Sequence, residues 1–110
     1  MVVIVFRSRL REDIDMAALE ALGAEMAAIA AAMPGFLSYR DFAAADGELA
    51  TLVEFESEAS LLAWRDHPAH RQAQERGRRE FFADYQIQIC APLRAYAFSQ
   101  AGGRQQILGA

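Results

Sequence analysis

The chain begins with an unbroken apolar run, VVIVF at positions 2–6. β-branched and aromatic side chains favour a strand, and a strand that is apolar at every position needs cover on both faces. Apolar or aromatic residues occupy both alternations of FLSYRDF at 36–42 as well. We therefore expect the chain to build a sheet that is covered on both sides.

A helix follows the first strand. Glu12, Asp13 and Asp15 offer capping groups and negative charge for its N-terminus, and Pro34-Gly35 ends it. Its apolar residues recur at spacings of three and four, so they form one stripe along the helix. The stripe contains Leu19, Leu22, Met26, Ile29 and Met33.

The next two apolar segments predict a hairpin. Residues 36–42 and 49–55 are rich in strand-forming side chains, and Asp46-Gly47 between them is typical of a tight turn. The segments are close enough in sequence to pair directly.

Two helical pieces come after the hairpin. Ser57 can cap a short helix over 58–64, and a second piece runs over about 69–79. Pro68 interrupts them, so we expect a kink or a corner at Asp66-His67-Pro68.

Strict alternation predicts the last strand. Tyr85, Ile87 and Ile89 fall on one face of it. Pro92 cannot donate a ladder hydrogen bond, so a bulge or an edge is expected there before residues 93–98 continue the strand.

The C-terminal residues carry weaker signals. Residues 99–110 are poorly patterned and predict a mobile tail, which leaves one domain over 1–98. Cys90 has no partner motif, and we expect it to be inert core.

The resulting order is β-α-β-β-α-β, an α+β ferredoxin-like arrangement with an antiparallel sheet and both helical segments on one face. The other face would expose a large apolar patch. We therefore expect a homodimer that packs sheet against sheet as a dimeric α/β barrel, with a pocket between sheet and helices in each protomer.

Composition limits the classes of partner that the protein is expected to bind. The formal net charge is -4 and the pI is about 5.1, which argues against a nucleic-acid surface. No apolar run approaches the ~20 residues of a membrane span. A single Cys excludes an internal disulfide, and the N-terminal segment lacks the features of a signal peptide, so a cytoplasmic protein is expected. The acidic balance makes a small apolar molecule the expected partner.

Several short segments together carry a family resemblance. They are Met33-Pro34-Gly35-Phe36, Glu54-Phe55-Glu56-Ser57-Glu58, Trp64, His67-Pro68-Ala69-His70, Gly77-Arg78, Phe82 and Tyr85-Gln86-Ile87-Gln88. Over about residues 1–98 this pattern resembles the antibiotic biosynthesis monooxygenase (ABM) superfamily of dimeric α/β-barrel proteins. Its members include cofactor-independent oxygenases of polyketide quinol-type substrates, quinol monooxygenases and haem-degrading enzymes.

The resemblance implies a cofactor-independent monooxygenase that acts on a small aromatic or quinol-like compound. Two departures leave alternatives open. Haem-degrading members have an Asn and an iron-binding His where this chain has Arg7 and Gln74, and polyketide-tailoring members have a Trp where it has Phe55. A haem-binding or haem-degrading protein and a non-catalytic ligand-binding or structural module are the alternatives.

Three residues are predicted to be catalytic. His70 is the candidate base, because an imidazole titrates near neutral pH and can accept a phenolic proton. Arg78 or Tyr85 would anchor the resulting anion. A purely structural role is the competing interpretation for all three: packing for the tyrosine, a surface or capping position for the histidine, and a solvated helix face with charge pairs for the arginine.

The predicted substrate-binding residues are Trp64, Phe55, Tyr39, Phe36 and His67. Trp64 suits either the core or a wall on which an aromatic substrate packs. His67 and His70 have no third ligand at a fixed spacing, so no metal site is predicted. The sequence also lacks a phosphate-binding glycine loop and a nucleotide fingerprint, and no bound cofactor is expected.

Overall fold

The computed structural model describes residues 1–108. The main body contains β1 (Val2–Leu10), α1 (Met16–Ala32), β2 (Phe36–Ala43), β3 (Leu49–Phe55), α2 (Glu58–Arg65), α3 (Pro68–Arg76) and β4 (Phe82–Cys90). Five residues, Gly77–Phe81, form a π-helical segment between α3 and β4, which we call the π turn. Two further strands, β5 (Ala95–Ser99) and β6 (Gly103–Leu108), follow.

The four main strands form one antiparallel sheet in the order β2-β3-β1-β4. The unbroken apolar strand β1 is central, with β3 and β4 as its neighbours. This position agrees with its composition, because a central strand is buried by both neighbours and by what covers its faces. The predicted α+β ferredoxin-like fold is confirmed.

The two faces of the sheet differ in their cover. Ile4, Ser8 and Val53 point to the side of the helices and are buried. Alternation turns Val5 and Leu52, which pair across β1 and β3, to the opposite side, where neither residue is fully buried. We call this opposite side the outer face.

Helix α1 begins where the sequence predicts. The side chain of Asp15 accepts a hydrogen bond from the Ala18 backbone N–H at 3.1 Å, which caps the helix. Of the predicted stripe only Met26 is fully buried, together with Ala30 one turn further on. The helix therefore packs on the core through its C-terminal half, where Ile29 and Met33 also contact the buried cluster. Leu19, Leu22 and Met26 line a cavity.

The predicted corner between the two later helices lies at Asp66-His67. Asp66 is the C-cap of α2, and His67 is the N-cap of α3, with its Nδ1 accepting from the Ala69 backbone N–H at 3.1 Å. Pro68 fits the first position of α3, where no backbone donor is needed.

The end of the chain differs from the prediction. β4 stops at Cys90, and residues 93–98 do not continue it, because the strand after Pro92 pairs with β6 in a separate two-stranded sheet. Where a mobile tail was expected from residue 99, Gly103 at φ 66° turns the chain back and residues 103–108 pair with β5. The predicted boundary at 98 thus falls within a hairpin. The division into a domain and a tail stays a prediction, and its last two residues lie outside those described.

Cys90 also departs from expectation. It is exposed, not core, because its register opposite Val3 places it on the outer face at the edge strand of the sheet. No helix in the described part of the chain is long and apolar enough to cross a membrane.

Candidate functional site

An apolar cavity of about 810 Å³ lies between the sheet and the helices. Its floor comes from alternate residues of the strands, and α1 supplies one wall. Few charged side chains line the cavity. The sheet contributes Ile4, Phe6, Val53, Tyr39, Ile87 and Ile89, and α1 contributes Leu19, Leu22 and Met26.

His70 and Trp64 form the wall that α2 and α3 supply. Their ring centroids are 4.3 Å apart and their planes are inclined by 53°. Burial lowers the pKa of His70, and the charge of His67 acts in the same direction, while a backbone interaction with Arg65 opposes both. The neutral imidazole, which can accept a proton, is therefore the favoured form at neutral pH.

Two nitrogens at this wall have no hydrogen-bond partner within residues 1–108. They are Trp64 Nε1 and His70 Nδ1, both buried. A buried polar atom without a partner costs about 1–3 kcal/mol, so such atoms are uncommon unless something else satisfies them.

Tyr39 stands on the β2 side of the cavity. Its ring meets Trp64 edge to face, with centroids 6.3 Å apart. Burial, with the negative charge of Asp41 as a second cause, raises the pKa of Tyr39 to about 12. The phenol is therefore a hydrogen-bond donor near neutral pH and not a base.

Arg78 and Tyr85 meet at the β4 side. Arg78 Nη1 donates to the Tyr85 hydroxyl oxygen at 3.0 Å, and this bond raises the pKa of the guanidinium. Tyr85 lines the cavity, whereas Arg78 is exposed and is not among its lining residues. The hydrogen-bonded pair therefore has one member at the cavity and the other at the solvent-exposed surface.

The π turn that carries Arg78 is held by Arg11. The Arg11 guanidinium donates to the carbonyl oxygens of Phe82 at 3.0 Å, Arg79 at 2.7 Å and Arg78. Its backbone N–H also donates to Phe81 at 2.8 Å. One side chain from the loop after β1 therefore satisfies carbonyls that a π-helical end leaves free.

The structure brings together four of the predicted site residues at the cavity: His70, Tyr85, Trp64 and Tyr39. Phe55 is fully buried behind Trp64, and Phe36 packs on Phe55 with centroids 6.0 Å apart. His67 is the cap of α3 and does not line the cavity. The functional roles of all these residues stay predictions.

Sequence reasoning missed other residues of the cavity. Ser8 is 3% exposed and lines it beside Tyr85, its register partner on β4. Asp41 lines it as well and accepts from the Thr51 hydroxyl at 2.6 Å. The alternation along β1 held a signal for Ser8, since positions 4, 6 and 8 share one face.

A haem group does not fit the histidines of this site. An axial ligand must present a ring nitrogen to the iron. His70 Nδ1 is buried, the same imidazole interacts with the backbone of Arg65, and His67 lies outside the cavity with its Nδ1 engaged in the cap. Within residues 1–108 no three His, Cys, Asp or Glu side chains form a metal-binding cluster.

A ferredoxin-like sheet with an apolar cavity under its helices defines a class of small α+β proteins with a sheet–helix pocket. Within that class, the sequence pattern of the family described as antibiotic biosynthesis monooxygenase matches residues 1–76, and the chain belongs to this ABM family. It is 31% identical over 75 residues to the uncharacterised protein YqjZ of Bacillus subtilis. That match covers 68% of this chain and 66% of YqjZ, slightly less than two thirds of the relative.

Solved structures share the fold. The Rv0793 protein of Mycobacterium tuberculosis is 27% identical, with a TM-score of 0.73 over 84% of this chain and 94% of that one. A candidate antibiotic biosynthesis monooxygenase from Deinococcus radiodurans is 16% identical, with a TM-score of 0.77 over 90% and 99%. A mutant of SnoaB, a cofactor-independent oxygenase from Streptomyces nogalater, is 16% identical, with a TM-score of 0.71 over 83% and 91%. At 16% identity the likeness concerns the fold alone.

Proposed function

We propose that this protein is a cofactor-independent monooxygenase of a small aromatic or quinol-like substrate. One observation carries the proposal: an apolar cavity is lined by a neutral imidazole, His70, and by the phenols of Tyr39 and Tyr85. Membership of the ABM family supports the reaction class, and the related fold of SnoaB is that of an oxygenase described as cofactor-independent.

The proposed chemistry begins with removal of a proton from the substrate. His70 accepts a phenolic or enolic proton, and the resulting anion is electron-rich enough to pass an electron to dioxygen. For an anthrone, the ring CH₂ becomes a carbonyl, one oxygen atom enters the product and the other leaves as water. The substrate supplies all the electrons, so the protein supplies a base, an anchor and a cavity that excludes water.

The anchor in this proposal is the pair of Tyr85 and Arg78. The Tyr85 hydroxyl lies at the cavity, and the guanidinium donates to it, so the phenol is polarised toward an anionic oxygen. Trp64 and Tyr39 offer aromatic walls, and Phe55 and Phe36 support them from behind.

Oxygen uptake with a panel of hydroquinones and anthrones tests the proposal. We expect His70→Gln to lower the rate by about 10²–10⁴-fold, the usual contribution of a positioned base. Glu75→Gln is the matched control, since it lies on the same helix, is exposed and is not among the cavity residues. Uptake that His70→Gln leaves unchanged contradicts the assignment of the base.

A non-catalytic ligand-binding module is the second candidate, and the burial of His70 Nδ1 favours it. A base must reach the proton it removes, and this buried nitrogen is not accessible from the cavity. Quenching of the single Trp by a non-oxidisable aromatic ligand such as 9,10-anthraquinone measures binding. Saturable binding without oxygen uptake for any of the panel would favour this second function.

We also propose a homodimer, in the cytoplasm, that packs sheet against sheet. The outer face has an apolar centre around Val3, Val5 and Leu52 and a polar rim that includes the Arg7–Glu48 ion pair. An apolar centre inside a polar rim is the usual anatomy of an interface. Sedimentation at micromolar concentration tests this proposal, and a well-folded monomer contradicts it.

A further inference from the structure

The proposed anchor depends on one hydrogen bond between the π turn and β4. Arg78 lies on the π turn, and its Nη1 donates to the hydroxyl oxygen of Tyr85 at 3.0 Å. The nearby carboxylates of Glu75 and Glu80 pair with other arginines, so neither forms an ion pair with Arg78. An exposed arginine side chain has many rotamers, and one hydrogen bond does not restrict them all. A stable bond therefore requires that the turn itself be held in place.

Strand β1 fixes the position of Tyr85. Ser8 is its register partner in the ladder between β1 and β4, and both residues line the cavity. The register shifts two residues later, between Arg9 and Leu10, and an irregularity of this kind bends the end of a strand. The residue after the shift is Arg11, which lies against the π turn.

Arg11 fixes the position of Arg78. Its guanidinium donates to the carbonyl oxygens of Arg78, Arg79 and Phe82. Its backbone N–H donates to the carbonyl oxygen of Phe81. A planar guanidinium presents its donors in fixed directions, so several simultaneous bonds define the place of the turn more closely than one bond would.

These bonds also remove competing acceptors from the neighbourhood of Arg78. The last carbonyl oxygens of a helix have no partner within the helix. A free carbonyl beside the guanidinium would compete with the Tyr85 hydroxyl, because a guanidinium has several donors to place. Since Arg11 occupies these carbonyls, the bond from Arg78 to Tyr85 meets less competition.

The bond from Arg78 orients the phenol. The Tyr85 oxygen accepts from the guanidinium, so its own O–H is free to donate to a group in the cavity. A hydroxyl that accepts from a cation is polarised and becomes a stronger donor. An anionic oxygen of a ligand gains most from such a donor.

We propose that Arg11 is a positioning residue of the anchor: it holds the π turn so that Arg78 keeps the Tyr85 hydroxyl directed into the cavity. Residues 8–11 then set both ends of one hydrogen bond, Tyr85 through the ladder and Arg78 through the turn. Arg11 itself is exposed and is not among the residues that line the cavity. The inference rests on the anchor of the proposed function but not on turnover.

NMR of protein labelled with [¹³Cζ]tyrosine tests the inference without ligand or turnover. The chain has three tyrosines, and Tyr85→Phe assigns the signal of interest. Arg78→Met removes the hydrogen bond and so defines how far the Tyr85 signal moves when the bond is lost. We expect Arg11→Met to move this signal most of the way to the same position.

Two further variants separate position from charge. Arg9→Met removes an exposed arginine of the same segment that pairs with Asp46, and it should leave the Tyr85 signal at its wild-type position. Arg11→Lys keeps the charge but loses the planar set of donors, so it should move the signal as Arg11→Met does. It also replaces Arg11→Met if that variant does not fold. A Tyr85 signal that Arg11→Lys leaves at its wild-type position overturns the inference.

Ligand binding gives a second measurement, with 2-naphthoate as the anionic probe and 2-naphthamide as its neutral isostere. By calorimetric titration, we expect Arg11→Met to raise the Kd of 2-naphthoate at least about tenfold and to leave the Kd of 2-naphthamide within about twofold. In a Tyr85→Phe background, Arg11→Met should have no further effect on either Kd, because Arg11 acts through the phenol.

The remaining outcomes contradict the inference. Equal losses for the two ligands, or a loss for 2-naphthoate that persists in the Tyr85→Phe background, would show a general structural effect of Arg11. Failure of 2-naphthoate to bind the wild type overturns the anchor, and the positioning role with it. The proposed reaction is decided separately by oxygen uptake: the expected binding pattern without any uptake keeps the anchor and overturns the monooxygenase.

Discussion

The imidazole of His70 packs against the indole of Trp64, with 4.3 Å between ring centroids. The two residues come from different helices, and the corner at Asp66-His67 brings α3 back beside α2. The contact places an ionisable ring on an apolar wall. It therefore determines which protonation state of His70 the fold prefers.

Lower pH should destabilise the protein through His70. Burial lowers the pKa of this imidazole, so below its ordinary value of about 6.5 the unfolded chain binds the proton more readily than the folded protein. The free energy of unfolding should fall as the pH decreases through 6.5 and stop falling below the pKa of the folded state. Urea unfolding between pH 5 and 7.5 measures this, and His70→Phe should flatten the slope. An NMR titration in which His70 ionises at or above 6.5 would contradict the prediction.

Tyr39 should ionise only at strongly alkaline pH. Its pKa is raised to about 12, so alkaline absorbance titration should show one phenol that titrates late. Tyr39→Phe should remove that late component. Because the unfolded chain loses this proton near pH 10, stability should also decline between pH 10 and 12 in the wild type. A late component that persists in Tyr39→Phe would belong to another residue.

Loss of the Arg11 side chain should loosen the π turn. Arg11→Met removes three donated hydrogen bonds and leaves carbonyls of the turn free, which we expect to cost about 1–2 kcal/mol of unfolding free energy. Arg9→Met is the matched control. It removes an exposed ion pair with Asp46, which solvent screens, and should cost less than Arg11→Met. Equal losses in the two variants would mean that Arg11 does not hold the turn.

Gly77→Ala should destabilise the same turn from inside. A Cβ on Gly77 would stand 2.6 Å from the Phe82 ring, which is packed on Phe6, so we expect a loss of about 1–3 kcal/mol. Gly23→Ala, in α1, meets nothing within 4 Å and should stabilise by about 0.5–1 kcal/mol. Thermal unfolding measures the stability of both variants. A Gly77→Ala protein as stable as the wild type would show that the Phe82 ring can move to make room for the Cβ.

The site could be only partly predicted from the sequence. Periodicity predicted the strands, the helix stripe and the corner at Pro68, because side-chain spacing and backbone chemistry act over a few residues. His70, Trp64, Tyr39 and Tyr85 were predicted as site residues from their side-chain chemistry and from the family resemblance. Periodicity did not predict the π turn, because a single inserted residue in a helix leaves no local signal.

Contacts between distant residues decided the rest. Arg11 meets Arg78 across 67 positions, and whether α1 closes on the sheet or leaves a cavity depends on packing that spacing does not encode. The same holds for the chain after Pro92. The sequence alone determined that residues 93–98 are extended, but an extended segment takes any free partner, and only the tertiary structure paired it with β6 in place of continuing β4.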